Sequence, residues 1–386
     1  MTSRTAGVYV HIPFCVKKCG YCDFNAYSGY KDGTKACYVD ALCREIEARA
    51  EPATRVPTVF FGGGTPTTLA ADDLARILGT VRASFDLDAD AEVSVEANPS
   101  DATLEYLRAL RSGGGFNRLS FGVQTFNDRL LRSIDRVHTG AEAEAAIALA
   151  KKAGFTNLSI DLMFALPRQT MADWDRSLDA AFALDVPHLS MYALIVEEGT
   201  AFFARRERGK LPLPSEKMEA AMFARSIERA TAVGYEHYEV SSYARSGRTS
   251  SAGFRCRHNQ IYWRNEEYFG FGAGAASYLD GARTMNERLP GRYTETVGAR
   301  GTATVSEERL TPREAMGETM MVGLRLRAGV DLAAFARRFG VRAETVFAEE
   351  IARLRDGGLI EVTSDRLCLT ERGLFVGNEV MLAFLA

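Results

Sequence analysis

Six apolar, strand-like runs that alternate with helical patterns constrain this chain more than any other feature. The runs fall at residues 8–12, 56–61, 91–96, 118–123, 158–163 and 188–194, and helical patterns occupy 34–50, 71–85, 102–111, 141–153 and 171–184 between them. Alternation of this kind predicts a parallel sheet, because a strand must cross over through a helix to return parallel to its neighbour. Six units are too few to close an eight-fold barrel. The expected fold is therefore α/β, a partial (β/α)6 barrel, with functional residues at the C-terminal ends of the strands as in full barrels.

The pattern changes after the sixth unit. Leu211-Pro-Leu-Pro214 reads as a hinge, followed by a helix capped by Ser215 and running to about Val233. The Gly- and Ser-rich segment 246–254 reads as a loop. Thr311-Pro-Arg-Glu314 is a capping box with proline at the first helical position. Helices near 332–338 and 344–356, strands at 359–363 and 366–369 and a last helix then predict a C-terminal α+β module, winged-helix-like. Its basic residues are matched by acidic ones, which favours a packing cap over a nucleic-acid reader. The expected division is a barrel over 1–210, a barrel extension over 211–305 and the C-terminal domain over 306–386.

Net charge gives no nucleic-acid footprint: 47 Lys and Arg against 50 Asp and Glu give −3, with the signs evenly mixed. No apolar run approaches the ~18 residues of an integral membrane segment, and the opening MTSRTAG is too short and polar for a signal peptide. Seven cysteines without such a signal point to a reducing cytoplasm.

Three of those cysteines, Cys15, Cys19 and Cys22, lie in a C-x3-C-x2-C spacing directly after the first strand. Thiolates are soft ligands that select iron–sulfur clusters or zinc. A closed zinc site or an ordinary cluster wants four protein ligands, yet Phe24 stands where a nearby fourth thiol would fall and the next cysteine is Cys37. Three thiols on a [4Fe–4S] cluster would leave one iron open to a small molecule. The alternatives are buried free cysteines, disulfides in an oxidising compartment, and zinc held with His11.

Further motifs stand at the strand ends. Phe61-Gly-Gly-Gly-Thr-Pro-Thr67 follows the second strand, where glycines would let the backbone approach a ligand and offer it N–H and C=O groups; the alternative is a tight turn. Glu96, in Glu96-Ala-Asn-Pro99, suits gripping hydroxyls or serves as a helix N-terminal charge. Gln124 and Asp161 are polar positions within apolar strands and need partners. Arg136 would meet a carboxylate bidentately or lie on a helix surface.

Together, YVHIPFC, GGGTPT, EANP, NRLSFGVQTFN, DLMFALPRQT and HLSMYAL, spanning about residues 9–278, resemble the coproporphyrinogen-oxidase-like branch of the radical S-adenosylmethionine (radical SAM) superfamily. Within it, the oxidases carry a further cysteine after the cluster loop and a longer N-terminal region, whereas here Phe24 occupies that place and eight residues precede Tyr9. The chain is instead similar to HemW-type heme chaperones, whose H-N-x-x-Y-W motif matches Arg257-His-Asn-Gln-Ile-Tyr-Trp263. The resemblance implies a [4Fe–4S] cluster on Cys15, Cys19 and Cys22. It implies S-adenosylmethionine among Tyr9, Tyr21, Gly63, Gly64, Thr65, Glu96, Gln124, Arg136 and Asp161. It also implies heme, or another tetrapyrrole, near His258, the best candidate axial ligand, with Cys256 as a second; a structural role for His258 stays open. His11 is expected to be a hydrogen-bonding neighbour of the site and His188 to be strand packing. The implied partner is a heme-acceptor protein, with no nucleic acid. The runner-up is a radical SAM enzyme acting on a tetrapyrrole, or a related methyltransferase, with flavodoxin or ferredoxin as electron donor.

Overall fold

A computed structural model describes residues 4–247 and 253–385. Most of the expected loop at 246–254 thus lies outside the described residues. Six strands, β1 (Gly7–Ile12), β2 (Glu51–Gly63), β3 (Phe85–Ala97), β4 (Arg118–Gln124), β5 (Asn157–Phe164) and β6 (His188–Ala193), pair in chain order and all in parallel. The helices Asp32–Ala48, Ala71–Ser84, Gly140–Lys152 and Met171–Ala183 cross between them, and a short helix, Leu104–Arg108, continues as a π turn. The partial barrel is as expected. Its packing follows from the two periodicities: Val59, Phe61 and Val95 on the outer faces of the strands meet Leu74, Ile77, Leu78 and Val81 on the helix Ala71–Ser84, all fully buried.

The sheet does not stop at six strands. Beyond β6 lie antiparallel β8 (Ser242–Ala244) and β7 (Glu236–Glu239), and on the other side β9 (Tyr268–Phe271) runs parallel to β1. Strands β10 (Ala276–Leu279), β11 (Ala282–Asn286) and β12 (Thr304–Arg309) extend this edge as a meander, giving twelve strands in one sheet. β9 escaped the sequence reading because YFGF is short and carries no alternation. Gly270 is required there: a Cβ would lie 1.9 Å from the Ala276 carbonyl oxygen.

The helix Glu216–Ala232 starts at Ser215, whose hydroxyl accepts from the Met218 N–H, and the capping box at Thr311 and Glu314 opens the helix Pro312–Gly323. The C-terminal region has its own core, with Met320, Leu324, Phe335, Phe347 and Leu367 all nearly inaccessible. The expected hairpin, Ile360–Val362 with Arg366–Leu369, gains a third short strand, Val330–Asp331. The helix expected over 344–356 is broken at Phe347 and the last helix at Val376. Backbone bonds from Val240 N–H to the Arg325 carbonyl and from Arg327 N–H to the Tyr238 carbonyl, both 3.0 Å, stitch this region to the outer edge of the barrel. Covering an edge in this way removes unpaired backbone groups from solvent. Among the described residues, no helix is long and apolar enough to cross a membrane.

Candidate cluster and cofactor site

The cysteine loop leaves β1 and is pinned at both ends, because Phe14–Cys15 pairs in parallel with Tyr27–Ser28. Within it the Cys22 N–H donates to the Cys19 carbonyl at 3.2 Å, closing a tight turn between the second and third thiols. All three thiols line a cavity of about 570 Å3 at the C-terminal mouth of the barrel. Tyr21, Gly63, Gly64, Thr65, Glu96, Gln124, Arg136 and Asp161 line it too, so every expected site residue except Tyr9 and His258 is on its wall. Burial pushes the Cys15 thiol up, and Cys22 up to about 11, while Lys18 and the Thr65 hydroxyl or Phe24 backbone pull the other way. Raised in this way, the Cys15 and Cys22 thiols hold their protons, and a metal that binds them must displace those protons.

The glycine turn serves close approach, not donation. Gly63 has φ +115, and a Cβ there would sit 2.5 Å from the His11 ring; one on Gly64 would sit 2.7 Å from the Phe14 carbonyl oxygen. The N–H groups of Gly64 and Thr65 donate to the carbonyls of Ile12 and Phe14, and the Gly63 N–H reaches Glu96 Oε2 at 3.3 Å. These donors, expected to face a ligand, are instead used to clamp the cysteine strand against β2. Thr65 Oγ1 accepts from Asn98 Nδ2 at 2.9 Å and lies 3.7 Å from Cys15 Sγ.

Arg136 ties the two halves of the mouth together. Its Nη2 donates to Asn98 Oδ1 and to the Gly122 carbonyl, its Nη1 points to Cys19 Sγ at 3.8 Å, and its Nε is buried without a partner. Glu96 and Asp161 face the same space. Burial, and then the charge of Asp161, lifts the Glu96 carboxyl to about 8; burial lifts Asp161 to about 6 despite donation from Ser120 and Ser190. Two carboxyls in a cavity wall, raised by burial even though Arg118 and Arg136 act on Asp161 from a distance, suit hydroxyl or ammonium donors on a ligand. Gln124, at φ +66, is turned inward at the end of β4, where its Oε1 accepts from the Tyr192 hydroxyl at 3.1 Å.

Sequence reasoning missed Asn98, Ser190 and Tyr192. Ser190 and Tyr192 alternate along β6 on the face that lines the cavity, a period-2 polar signal that was legible. His11 behaves as expected: its ring nitrogens meet the Tyr9 hydroxyl and the Asn25 carbonyl, each at 2.9 Å. It therefore has no nitrogen to complete a zinc site with the three thiols.

The motif at the other end of the barrel differs from expectation. The helix Arg257–Trp263 plugs the barrel's N-terminal end. His258 is fully buried; Nδ1 meets Thr58 Oγ1 and Nε2 meets the Tyr262 hydroxyl, each at 2.8 Å, and burial holds the ring neutral with a pKa of about 3. Phe60 and Tyr9 stack beside it at 5.2 and 6.5 Å, so Tyr9 packs this plug and does not reach the cavity. The expected axial ligand has no free nitrogen, because Thr58 and Tyr262 hold both. Cys256 is also buried, its thiol pushed up to about 12, with Sγ 3.7 Å from Glu92 Oε1. His188, bonded to Ser159 and the Tyr238 hydroxyl, is a buried strand residue that also borders the cavity floor.

The profile of the Radical SAM superfamily matches residues 9–181 and that of the HemN C-terminal domain matches residues 310–376. The heme chaperone HemW of Bacillus subtilis is 39% identical over 382 residues, covering 98% of this chain and 98% of the relative. That of Lactococcus lactis is 37% identical, covering 100% of this chain and 98% of the relative. Coproporphyrinogen III oxidase (HemN) from Escherichia coli, a radical SAM enzyme of known structure, superposes with a TM-score of 0.85 at 27% identity, over 99% of this chain and 90% of that one.

Proposed function

From the premise that this chain belongs to the radical SAM superfamily and, within it, to the HemW family, we propose that it is a cytoplasmic heme chaperone. It would bind heme and pass it to an acceptor protein, and would also hold a [4Fe–4S] cluster and S-adenosylmethionine. Full-length identity to heme chaperones carries this reading. The donor set supports the cofactors: three thiols on one loop, Arg136 directed at Cys19, and the raised carboxyls of Glu96 and Asp161 deeper in the same cavity.

In this reading Cys15, Cys19 and Cys22 hold the cluster, which supplies an electron to S-adenosylmethionine when both are bound. Gly63 and Gly64 let the cysteine strand and β2 approach closely enough to shape the mouth. Glu96 accepts hydrogen bonds from the cofactor's hydroxyls, and Asp161, oriented by Ser120 and Ser190, accepts beside it. Arg136 holds Asn98, and through it Thr65, against the cluster loop. Gln124 and Tyr192 close the far wall.

The structural likeness to the oxidase and the complete cofactor cavity favour a second reading, a radical SAM catalyst acting on a tetrapyrrole. Anaerobic reconstitution followed by heme titration and product analysis with coproporphyrinogen separates the two. The chaperone reading expects about one heme per chain and no decarboxylation. Decarboxylation over many turnovers would overturn it.

A further inference from the structure

A second cavity, of about 620 Å3, lies between the outward face of the helix Arg257–Trp263 and the C-terminal helix Leu332–Phe339. It is separate from the cofactor cavity and touches it only through Trp263, whose indole borders both. Its size falls within the roughly 300–1,000 Å3 of small-molecule sites. Its surface divides in two. The partly exposed Trp263 and Leu326, backed by the buried Val330 and Phe335, make an apolar and aromatic part, and arginines stand around the rest.

The charges are not balanced. Arg255 is paired with Glu236, and Arg366 with Asp331 at 3.4 Å. Arg264 and Arg338 have a single carboxylate, Glu266, between them. Otherwise they bond to neutral groups: Arg264 to Gln260 Oε1 at 3.0 Å, and Arg338 to the Asn265 carbonyl at 2.7 Å and the Tyr278 hydroxyl at 2.9 Å. An apolar slot with two under-compensated guanidinium groups at its rim fits a flat hydrophobic ligand that carries carboxylates along one edge. Among the described residues, none of the residues lining the slot is a His, Cys or Met.

We propose that this interdomain groove is where heme sits, macrocycle against Trp263 and Leu326 and propionates on Arg264 and Arg338, with no axial ligand drawn from the groove wall. The inference rests on the chaperone reading and adds the site to it. It also gives the H-N-x-x-Y-W helix two faces: His258 turned into the barrel as a structural plug and Arg264 turned out to the cargo, with Trp263 between the two cavities.

The test uses the full-length protein and three probes: heme, metal-free protoporphyrin IX and heme dimethyl ester, each titrated by absorbance. Heme and protoporphyrin IX should bind the wild type with similar affinity, and the ester about tenfold more weakly. Arg264→Glu, at an exposed position, and Arg338→Gln should each weaken heme by about tenfold and shrink the gap between heme and its ester. Iron content and thermal midpoint of the variants establish that they are folded. Wild-type heme affinity in folded Arg264→Glu and Arg338→Gln would overturn the groove while leaving the chaperone reading intact. So would protoporphyrin IX that fails to bind where heme binds tightly, since that result requires an iron ligand. A wild type that binds none of the three probes would overturn the chaperone reading and the groove together.

Discussion

The raised carboxyl of Glu96 makes the cofactor cavity a source of pH-dependent instability, and Glu96→Gln should remove it. Folding carries the carboxyl from an ordinary 4.5 to about 8, chiefly by burial and secondarily by the charge of Asp161. Between those values the native state keeps a proton that the unfolded chain has released. Stability must therefore fall as pH rises through this window, with the loss complete just above the native value. The full displacement corresponds to a ceiling of about 5 kcal/mol. Glu96 looks into a cavity that water reaches and is not wholly enclosed, so about 2 kcal/mol is the working figure. Histidines displaced downwards, His258 to about 3 and His138 and His237 to about 4, act with the opposite sign, their contribution being gained as pH rises towards 6.5. They are common to both proteins and cancel in the difference. Urea unfolding of cluster-free wild type and Glu96→Gln should show the variant gaining about 2 kcal/mol on the wild type between about pH 5 and about pH 9. An offset that is the same at both ends of the range would refute the argument, because only a titrating carboxylate produces a slope. Glu96→Ala should also weaken S-adenosylmethionine by about tenfold with iron content unchanged.

Replacing Cys15, Cys19 or Cys22 by Ala should abolish a cluster of about four irons per chain, whereas the exposed Cys37 and the buried Cys43 should be replaceable without loss; iron and sulfide analysis after reconstitution decides this. Gly63→Ala, with φ +115 and a Cβ driven into His11, should cost more than about 3 kcal/mol, while Gly29→Ala, at φ +85 with open space around it, should cost about 1 kcal/mol; thermal midpoints compare them. His258→Ala should destabilise by about 3 kcal/mol through a buried void and orphaned Thr58 and Tyr262 hydroxyls, yet leave about one heme per folded chain. Loss of heme with stability intact would restore the ligand role.

The sequence alone determined what local patterns encode. Short apolar runs alternating with helical patterns specify a parallel sheet. Ser215 and Thr311, with its partner Glu314, specify where helices begin, and the spacing of Cys15, Cys19 and Cys22 puts three thiols on one loop that lines the cavity. Glu96, Gln124 and Asp161 stood out because a polar residue inside an apolar strand must be answered by something. What the tertiary structure decided is which way each side chain faces and what has already claimed it. His258 has ligand chemistry in any sequence, but only the fold places Thr58, from a strand two hundred residues earlier, on its Nδ1. The N–H groups of the glycine turn are free donors on paper, and the carbonyls of Ile12 and Phe14 take two of them. The groove under Trp263 has no linear signature, since Arg264 and Arg338 are brought together only when the C-terminal region docks on the edge of the barrel. Hydrogen-bond capacity and charge are properties of a residue; whether they are spent or still available is a property of its long-range neighbours.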